Sequence, residues 1–427
     1  MRALYTAPHS VRALVVTLVF MPTFVGAEEG NWKYDFDGHT KLRYTYQHFP
    51  EDSVFYQFTG SGGHDAVGNL RLNLGVKNRS FDADISYELF ALYGDQVEMS
   101  RDVGPGFGLN NRLPNDERRL FNLTDVIEDE GKLAVVQRLD RLSVGYTGKK
   151  SVVRFGRQAL SWGNGLFYAP MDVVNPFDPA TVDTEYKVGD DMLYGQFLQS
   201  NGNDTQAAAV FRRDLITGDV DKDSSTLAAK YHGFTGFGEY DVFLAQNYAD
   251  PMAGFGGNIN VGGAVWRADF IVTDAEKSGT TGTLVTNYSY SWVWGGKNVS
   301  GFVEYFFNGF GQRDGHYDNL AENTDLIRRL ARGELFTLGR HYIGGSLLVE
   351  MTPLWTLTPN IFTNLSDGSA LAQLVTQHNM SDNILVIGAL NVPVGPNGTE
   401  FGGLESGVPD TYISQDLSAF LQFAWYF

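Results

Sequence analysis

The chain contains no cysteine. That excludes disulfides, thiol catalysis and thiolate metal sites, and it suits an oxidising compartment where a stray thiol is a liability. Cations are scarce: 32 Lys and Arg stand against 50 Asp and Glu, for a net charge of −18. Such a chain repels phosphates, so no nucleic-acid partner is expected. Long apolar runs are also missing. Beyond residue 27 no stretch reaches about 18 apolar residues, so no transmembrane helix is expected there. Helical periodicity is rare, and only 321–336 reads as a short helix. Catalytic signatures are absent: there is no GxSxG, no HExxH and no phosphate-binding glycine loop. Asp219, Asp221 and Asp223 have the spacing of a calcium loop, but Ser224 and Lys230 stand where Gly and Glu are needed. A solvated acidic loop is the better reading. The expectation is therefore no enzyme, no metal and no cofactor.

The first residues are informative. "MRALYTAPHSVR" carries Arg2 and Arg12 and no acid, "ALVVTLVFM" (13–21) is a short apolar core, and Val25 and Ala27 are small residues before a cut. These are the parts of a secretory signal peptide, 1–27, with 28–427 as the mature domain. A spanning helix needs about 20 apolar residues, roughly twice this core.

The mature chain alternates with period two. Leu70, Leu72, Leu74 and Val76 oppose Asn69, Arg71, Asn73 and Lys77. Phe81, Ala83, Ile85, Tyr87 and Leu89 oppose Asp82, Asp84, Ser86 and Glu88. The last eleven residues, "LSAFLQFAWYF", alternate to the final Phe427. A soluble β-sandwich alternates as well. Here one face is charged and the other aromatic, with Tyr and Trp gathered near strand ends ("YSYSWVW", "FAWYF"). That is the pattern of a transmembrane antiparallel β-barrel with a polar lumen and aromatic girdles.

Seventeen segments stand out, and bacterial barrels have even counts. The long gaps 94–136, 163–189, 309–339 and 394–412 should share the extracellular side. Counting from the two chain ends clashes between Ala249 and Asn260, and a short strand at 252–259 removes the clash. The expected count is eighteen, with sixteen as the alternative because Gly254, Gly256 and Gly257 weaken that strand. Eighteen strands enclose an aqueous channel unless loops plug it.

The expected pore lining is Lys41, Arg43, Arg71, Lys77, Asp82, Asp84, Glu88, Arg154, Arg157, Arg267, Asp269, Glu304 and Glu350. Interspersed charges either orient a solute or merely solvate a wide lumen. The sharpest local feature is 152–179, where a strand runs into a proline-bearing loop rich in aromatics. Trp162, Phe167, Tyr168, Asp172, Asn175, Pro176, Phe177 and Asp178 are expected to form a constriction folded into the lumen, with its acids paired to Arg154 or Arg71. A cap packed outside on 94–136 is the rival.

The strings "RLDRLSVGYTGKKSVVRFGRQALSWGNGLFYAPMDVVNPFDP", "GGAVWRADF" and "YSYSWVWGGKNVSGFVEYFFNGFG" resemble the alginate-export-type porins of Gram-negative outer membranes. The resemblance implies a monomeric eighteen-stranded channel narrowed by loops, with Arg154, Arg157 and Arg267 as pore arginines. The dense lumenal acid departs from that pattern and favours a small polar, anionic or saccharide solute over a polyanion. The remaining expected partners are outer-membrane lipid, lipopolysaccharide and the barrel-assembly machinery. Trp425 and Phe427 resemble that machinery's C-terminal signal. The alternative is a barrel without an open pore, used as an enzyme scaffold or for binding partners.

Overall fold

Period-two alternation becomes one closed sheet. The computed structural model describes residues 32–102 and 113–427. The expected leader, 1–27, lies outside the described residues. The first strands are β1 Lys33–His48, β2 Gly62–Lys77, β3 Phe81–Gly94, β4 Thr124–Glu130, β5 Leu133–Thr147, β6 Ser151–Gln158 and β7 Asp190–Leu198. Next come β8 Asp204–Val210, β9 Thr226–Phe234, β10 Gly238–Asn247, β11 Asp250–Val261, β12 Ala264–Ala275, β13 Gly279–Trp294 and β14 Lys297–Asn308. The last are β15 His341–Thr352, β16 Trp355–Asn364, β17 Ser369–Ser381, β18 Ile384–Val394, β19 Leu404–Glu405, β20 Tyr412–Ile413 and β21 Leu417–Tyr426.

Neighbours pair antiparallel, and β21 pairs with both β18 and β1, which closes the ring. β19 and β20 form a separate ribbon, and β4 extends β5 beyond the reach of β6. Eighteen strands make the barrel among the described residues. A ring has no free edge, so every strand finds its hydrogen bonds without water.

The strand inferred from parity at 252–259 is β11, paired along its length with β10 and β12. Its glycines have a packing reason. A Cβ on Gly256 would lie 2.0 Å from the Asp269 carboxylate of β12, so the missing side chain leaves room for that acid. The helix expected over 321–336 is shorter, Thr324–Ala331, with Asn323 capping its first turn.

Outward residues such as Tyr34, Phe36, Leu42 and Tyr44 are largely exposed. In water an apolar band of this kind would be costly, at about 25 cal/mol per Å². Hydrocarbon removes the cost. Short turns such as 262–263, 295–296 and 382–383 share one rim with Phe427. The long connections 49–61, 95–123, 159–189, 211–225, 309–340 and 395–416 share the other, the loop rim. Six of the seven tryptophans (Trp32, Trp266, Trp292, Trp294, Trp355 and Trp425) are exposed near the turn rim, as an interfacial girdle requires.

Closure ends on Phe427. Its backbone exchanges two 3.0 Å hydrogen bonds with Gly38 of β1. A Cβ on Gly38 would meet the Arg71 carbonyl at 2.5 Å and the Phe427 ring at 2.8 Å. The unheated wild-type protein should therefore run as a compact band in SDS and shift on boiling. Gly38→Val should markedly reduce the compact fraction; an unchanged fraction would show that the β1–β21 seam does not need this contact.

Candidate functional site: a loop that circles the lumen

The lumen is organised by the thirty-one residues between β6 and β7, 159–189. The loop turns inward and meets the wall strand after strand. Trp162 Nε1 donates to Gln206 of β8 at 2.7 Å. Asn164 donates to Asp269 of β12 from its backbone at 2.6 Å and from its side chain at 2.7 Å, and to Asp241 of β10 at 3.2 Å. The backbone N–H groups of Leu166, Phe167 and Tyr168 donate to Glu304 of β14 at 2.6, 2.9 and 2.8 Å. The Phe167 ring sits 4.7 Å from Phe302 of β14 and 4.5 Å from Phe362 of β16. Tyr168 stacks on Phe306 at 4.4 Å.

The second half completes the circuit. Gln373 of β17 donates to the Ala180 carbonyl at 2.9 Å. Asp183 accepts from Gln422 of β21 at 2.8 Å and from Lys41 of β1 at 2.7 Å. Glu185 also reaches Lys41, at 2.8 Å. The Tyr186 ring packs on His39 of β1 and beneath the Arg71 guanidinium of β2, 4.1 Å away. Gly189 N–H donates to Asp140 of β5 at 3.3 Å. The loop thus has contacts all round the inner wall, with 169–177 folded back so that Asp172 meets Lys187 and Asn175 meets Val188. Eighteen strands about 4.8 Å apart, tilted about 40°, give a wall roughly 110 Å round. A chain one layer inside needs roughly 75 Å, within the reach of about 100 Å that thirty-one residues allow.

Lys187 ties the end of the loop to its start and to its middle. Its Nζ donates to the Leu160 carbonyl at 2.5 Å and to Asp172 at 2.6 Å. Burial pushes the Asp172 carboxyl up to about 6 even with that lysine against it. Met171, Val173 and Val174 pack with Trp162 against Met192, Val210, Phe243 and Ile271 of the wall, an apolar core inside the barrel. Asn175 turns the chain at φ 49°, and its side chain donates to the Val188 carbonyl at 3.3 Å. Pro176, Phe177 and Asp178 follow, with Asp178 exposed.

The sequence-derived charges fall into three groups. Lys41, Arg71, Glu88, Asp269 and Glu304 point inward but are buried under the loop or in ion pairs, so they anchor the loop rather than line the channel. Arg157 is a correction. It stands three residues from Arg154, so alternation puts it on the opposite face, where it pairs with Asp191 at 2.9 Å and Asp116 at 3.0 Å and is 1% exposed. Its guanidinium also donates to the Phe121 carbonyl at 2.7 Å, and residues 116–121 cover it. The third group stays on the lumen side. Arg154 pairs with Asp82 and lies 3.7 Å from Asp84. Lys77 is exposed, Arg43 is half-buried beside the Phe420 ring, and Glu350 accepts from Asn298 at 2.7 Å. Arg267 donates to Ser289 at 2.8 Å and Asn287 at 3.4 Å, both neutral.

The expected partners of the loop acids also change. Asp172 takes Lys187, while Asp183 and Glu185 take Lys41; none of the three pairs with Arg154 or Arg71. Above the ring, Glu400 ties three loop-rim segments together. It accepts from Leu338 N–H at 2.9 Å, Tyr342 Oη at 2.5 Å and Asn364 at 2.7 Å, and its own N–H donates to Asp367 at 2.9 Å. Burial pushes its carboxyl up to about 7. Glu400, Asp367 and the wall amides Gln206, Gln373 and Gln422 had not stood out in the sequence. Their one signal is an inward or loop position, which many other residues share.

No family model and no curated protein matches this sequence. Solved structures share its fold. A BenF-like porin from Pseudomonas fluorescens superposes with a TM-score of 0.51 at 8% identity, over 92% of this chain and 98% of that one. OccK5 (OpdH) of Pseudomonas aeruginosa gives 0.52 at 11% identity, over 92% and 98%. Wzi of Escherichia coli, an outer-membrane carbohydrate-binding β-barrel involved in group 1 capsule assembly, gives 0.50 at 9% identity, over 90% and 83%. These likenesses do not single out the alginate-export family. At such identities they are likenesses of fold, and the fold is that of the eighteen-stranded outer-membrane β-barrels.

Proposed function

We propose that this chain is a channel of the Gram-negative outer membrane for passive, selective diffusion of small polar solutes. Residues 1–27 direct it across the inner membrane, the loop rim faces outward, and loop 159–189 forms the constriction. One observation carries the reading. Loop 159–189 is anchored to wall strands on every side of the lumen, at β8, β12, β14, β17, β21 and β1, so it narrows the lumen all round.

An alginate-type polyanion route has less support. Of the three arginines such a route would use, Arg157 is sealed in the wall and Arg154 is neutralised by Asp82. Only Arg267 keeps a channel-side position with neutral partners. A small anion or a saccharide remains within this reading, and Wzi supplies an example of a carbohydrate binder on the same fold. Lipid and lipopolysaccharide surround the outer band. Trp425 and Phe427 serve the assembly machinery, and the barrel works as a monomer. A second reading rests on the apolar core of Trp162, Met171, Val173 and Val174 against the wall. If that filling extends across the lumen, the barrel is a scaffold without a pore.

Planar-bilayer recording separates the two readings: ohmic steps support the channel, and silence from folded barrels supports the scaffold. Replacing 165–186 with a short Gly/Ser linker should raise single-channel conductance severalfold and lower selectivity. Unchanged conductance in a normally assembled variant would remove the loop from the constriction. Arg267→Glu should shift the reversal potential in a salt gradient toward cations, because a charge in a narrowed pore acts at short range. An unmoved reversal potential would place Arg267 off the ion path.

A further inference from the structure

A cavity of about 290 Å³ lies on the loop-rim side of the ring, between 168–180 of the loop, Phe336 and Thr337 of the 309–340 connection, and 400–415. Its floor is Tyr168 and Phe362, both buried. Phe336 and Phe401, both half-buried, complete its aromatic lining. The lining includes two acids, Asp178 and Glu400, and no Lys or Arg. Glu400 is occupied: Leu338, Tyr342 and Asn364 already donate to it. Asp178 is freer. One of its oxygens accepts from Ala180 N–H at 2.8 Å, and the residue is exposed.

We propose that this cavity is a binding site for organic cations, an ammonium group carried on an apolar or aromatic body, loaded before passage through the constriction. The proposal deepens the channel reading and rests on it for the passage step alone. Three features favour this class. Aromatic faces attract a cation within about 6 Å. A carboxylate with spare acceptor capacity and no basic neighbour in the lining can take a charge-assisted hydrogen bond from an ammonium donor. An anion meets two acids and no base. A neutral sugar would need matched donors as well as acceptors, and the side-chain donors in the lining are Tyr168, Thr337, Ser414 and Gln415. The volume corresponds to about ten waters at about 30 Å³ each, so a body of roughly ten heavy atoms fits. The net charge of −18 concentrates cations at the mouth before they bind.

The test uses phenethylammonium, with 2-phenylethanol and 3-phenylpropionate as neutral and anionic counterparts, on the full barrel. In bilayers, phenethylammonium added on the loop-rim side should interrupt the current at concentrations where the other two do not. Asp178→Asn should raise the concentration needed at least about tenfold, which corresponds to about 1.4 kcal/mol. Phe401→Leu should raise it less. Equal potency of the alcohol would show that charge is not read, and would overturn the proposal. So would interruption by glucose with none by the amine. An open channel indifferent to the amine would overturn it too, while leaving the channel reading intact. If folded barrels do not conduct, calorimetry of phenethylammonium with the detergent-solubilised protein decides instead. Saturable heat lost in Asp178→Asn supports the site without a pore, and absence of heat ends it.

Discussion

The interior depends on one contact made three times. Glu304 is wholly buried in the barrel wall and accepts the backbone N–H groups of Leu166, Phe167 and Tyr168. A buried carboxylate demands partners, and hydrogen bonds to a charged group contribute about 1.5–3 kcal/mol each. With a fourth bond from Asn287 at 3.0 Å these donors satisfy it, and they fix the loop where it turns past β14. Fixing a residue costs about 1–2 kcal/mol of backbone entropy, so no single anchor orders thirty-one residues. The anchors are accordingly spread around the wall, at Gln206, Asp269, Glu304, Gln373, Gln422 and Lys41. The apolar core around Met171 and Val174 supplies burial where the chain crosses β7 to β12.

This arrangement changes what the lumenal charges mean. Inward charge on a barrel strand suggests contact with solute. Here much of it is spent on holding a loop, and Asp269, Glu304 and Arg71 are covered. On the proposed channel reading, selectivity falls to the charges left uncovered, such as Arg267 and Lys77, and to the loop itself. The loop presents backbone and small polar groups at Ser161, Gly163, Thr181 and Thr184, all exposed. Such a channel would filter by size and by a few charges rather than by a dense electrostatic ladder.

The barrel was legible because its physics is local. Alternation gives each strand, and even count with loop parity located β11 although Gly254, Gly256 and Gly257 argue against a strand there. Gly256 makes room for Asp269, Gly254 for Ile271, and Gly257 lies against the Glu239 carbonyl, reasons that appear only when β10, β11 and β12 lie side by side. Arg157 shows the same rule applied too loosely, since three residues from Arg154 is the other face. The aromatic and proline content of 162–179 marked an ordered loop, but not its partners. Lys41 is 142 residues from Asp183, and Gln422 is 239 residues from it. Nothing in local pattern distinguishes an inward glutamine that meets water from one that meets a loop arriving from across the barrel. The helix over 324–331 is short because Arg332 and Gly333 end it, where the sequence pattern ran on to 336.

The central claim is that loop 159–189 lies against the inner wall as far round as β21. The absence of cysteine permits a direct measurement. Asp183→Cys combined with Gln422→Cys puts two thiols at positions whose side chains now meet through a 2.8 Å hydrogen bond. Cysteine is shorter than either side chain, so a short bifunctional thiol cross-linker, rather than a direct disulfide, should join them in high yield in the folded barrel in lipid. The link would be seen as the added mass of one bridge and as a connection between the two segments after proteolysis. Thiols left unbridged in a fully folded barrel would contradict the account and return the loop to the outside.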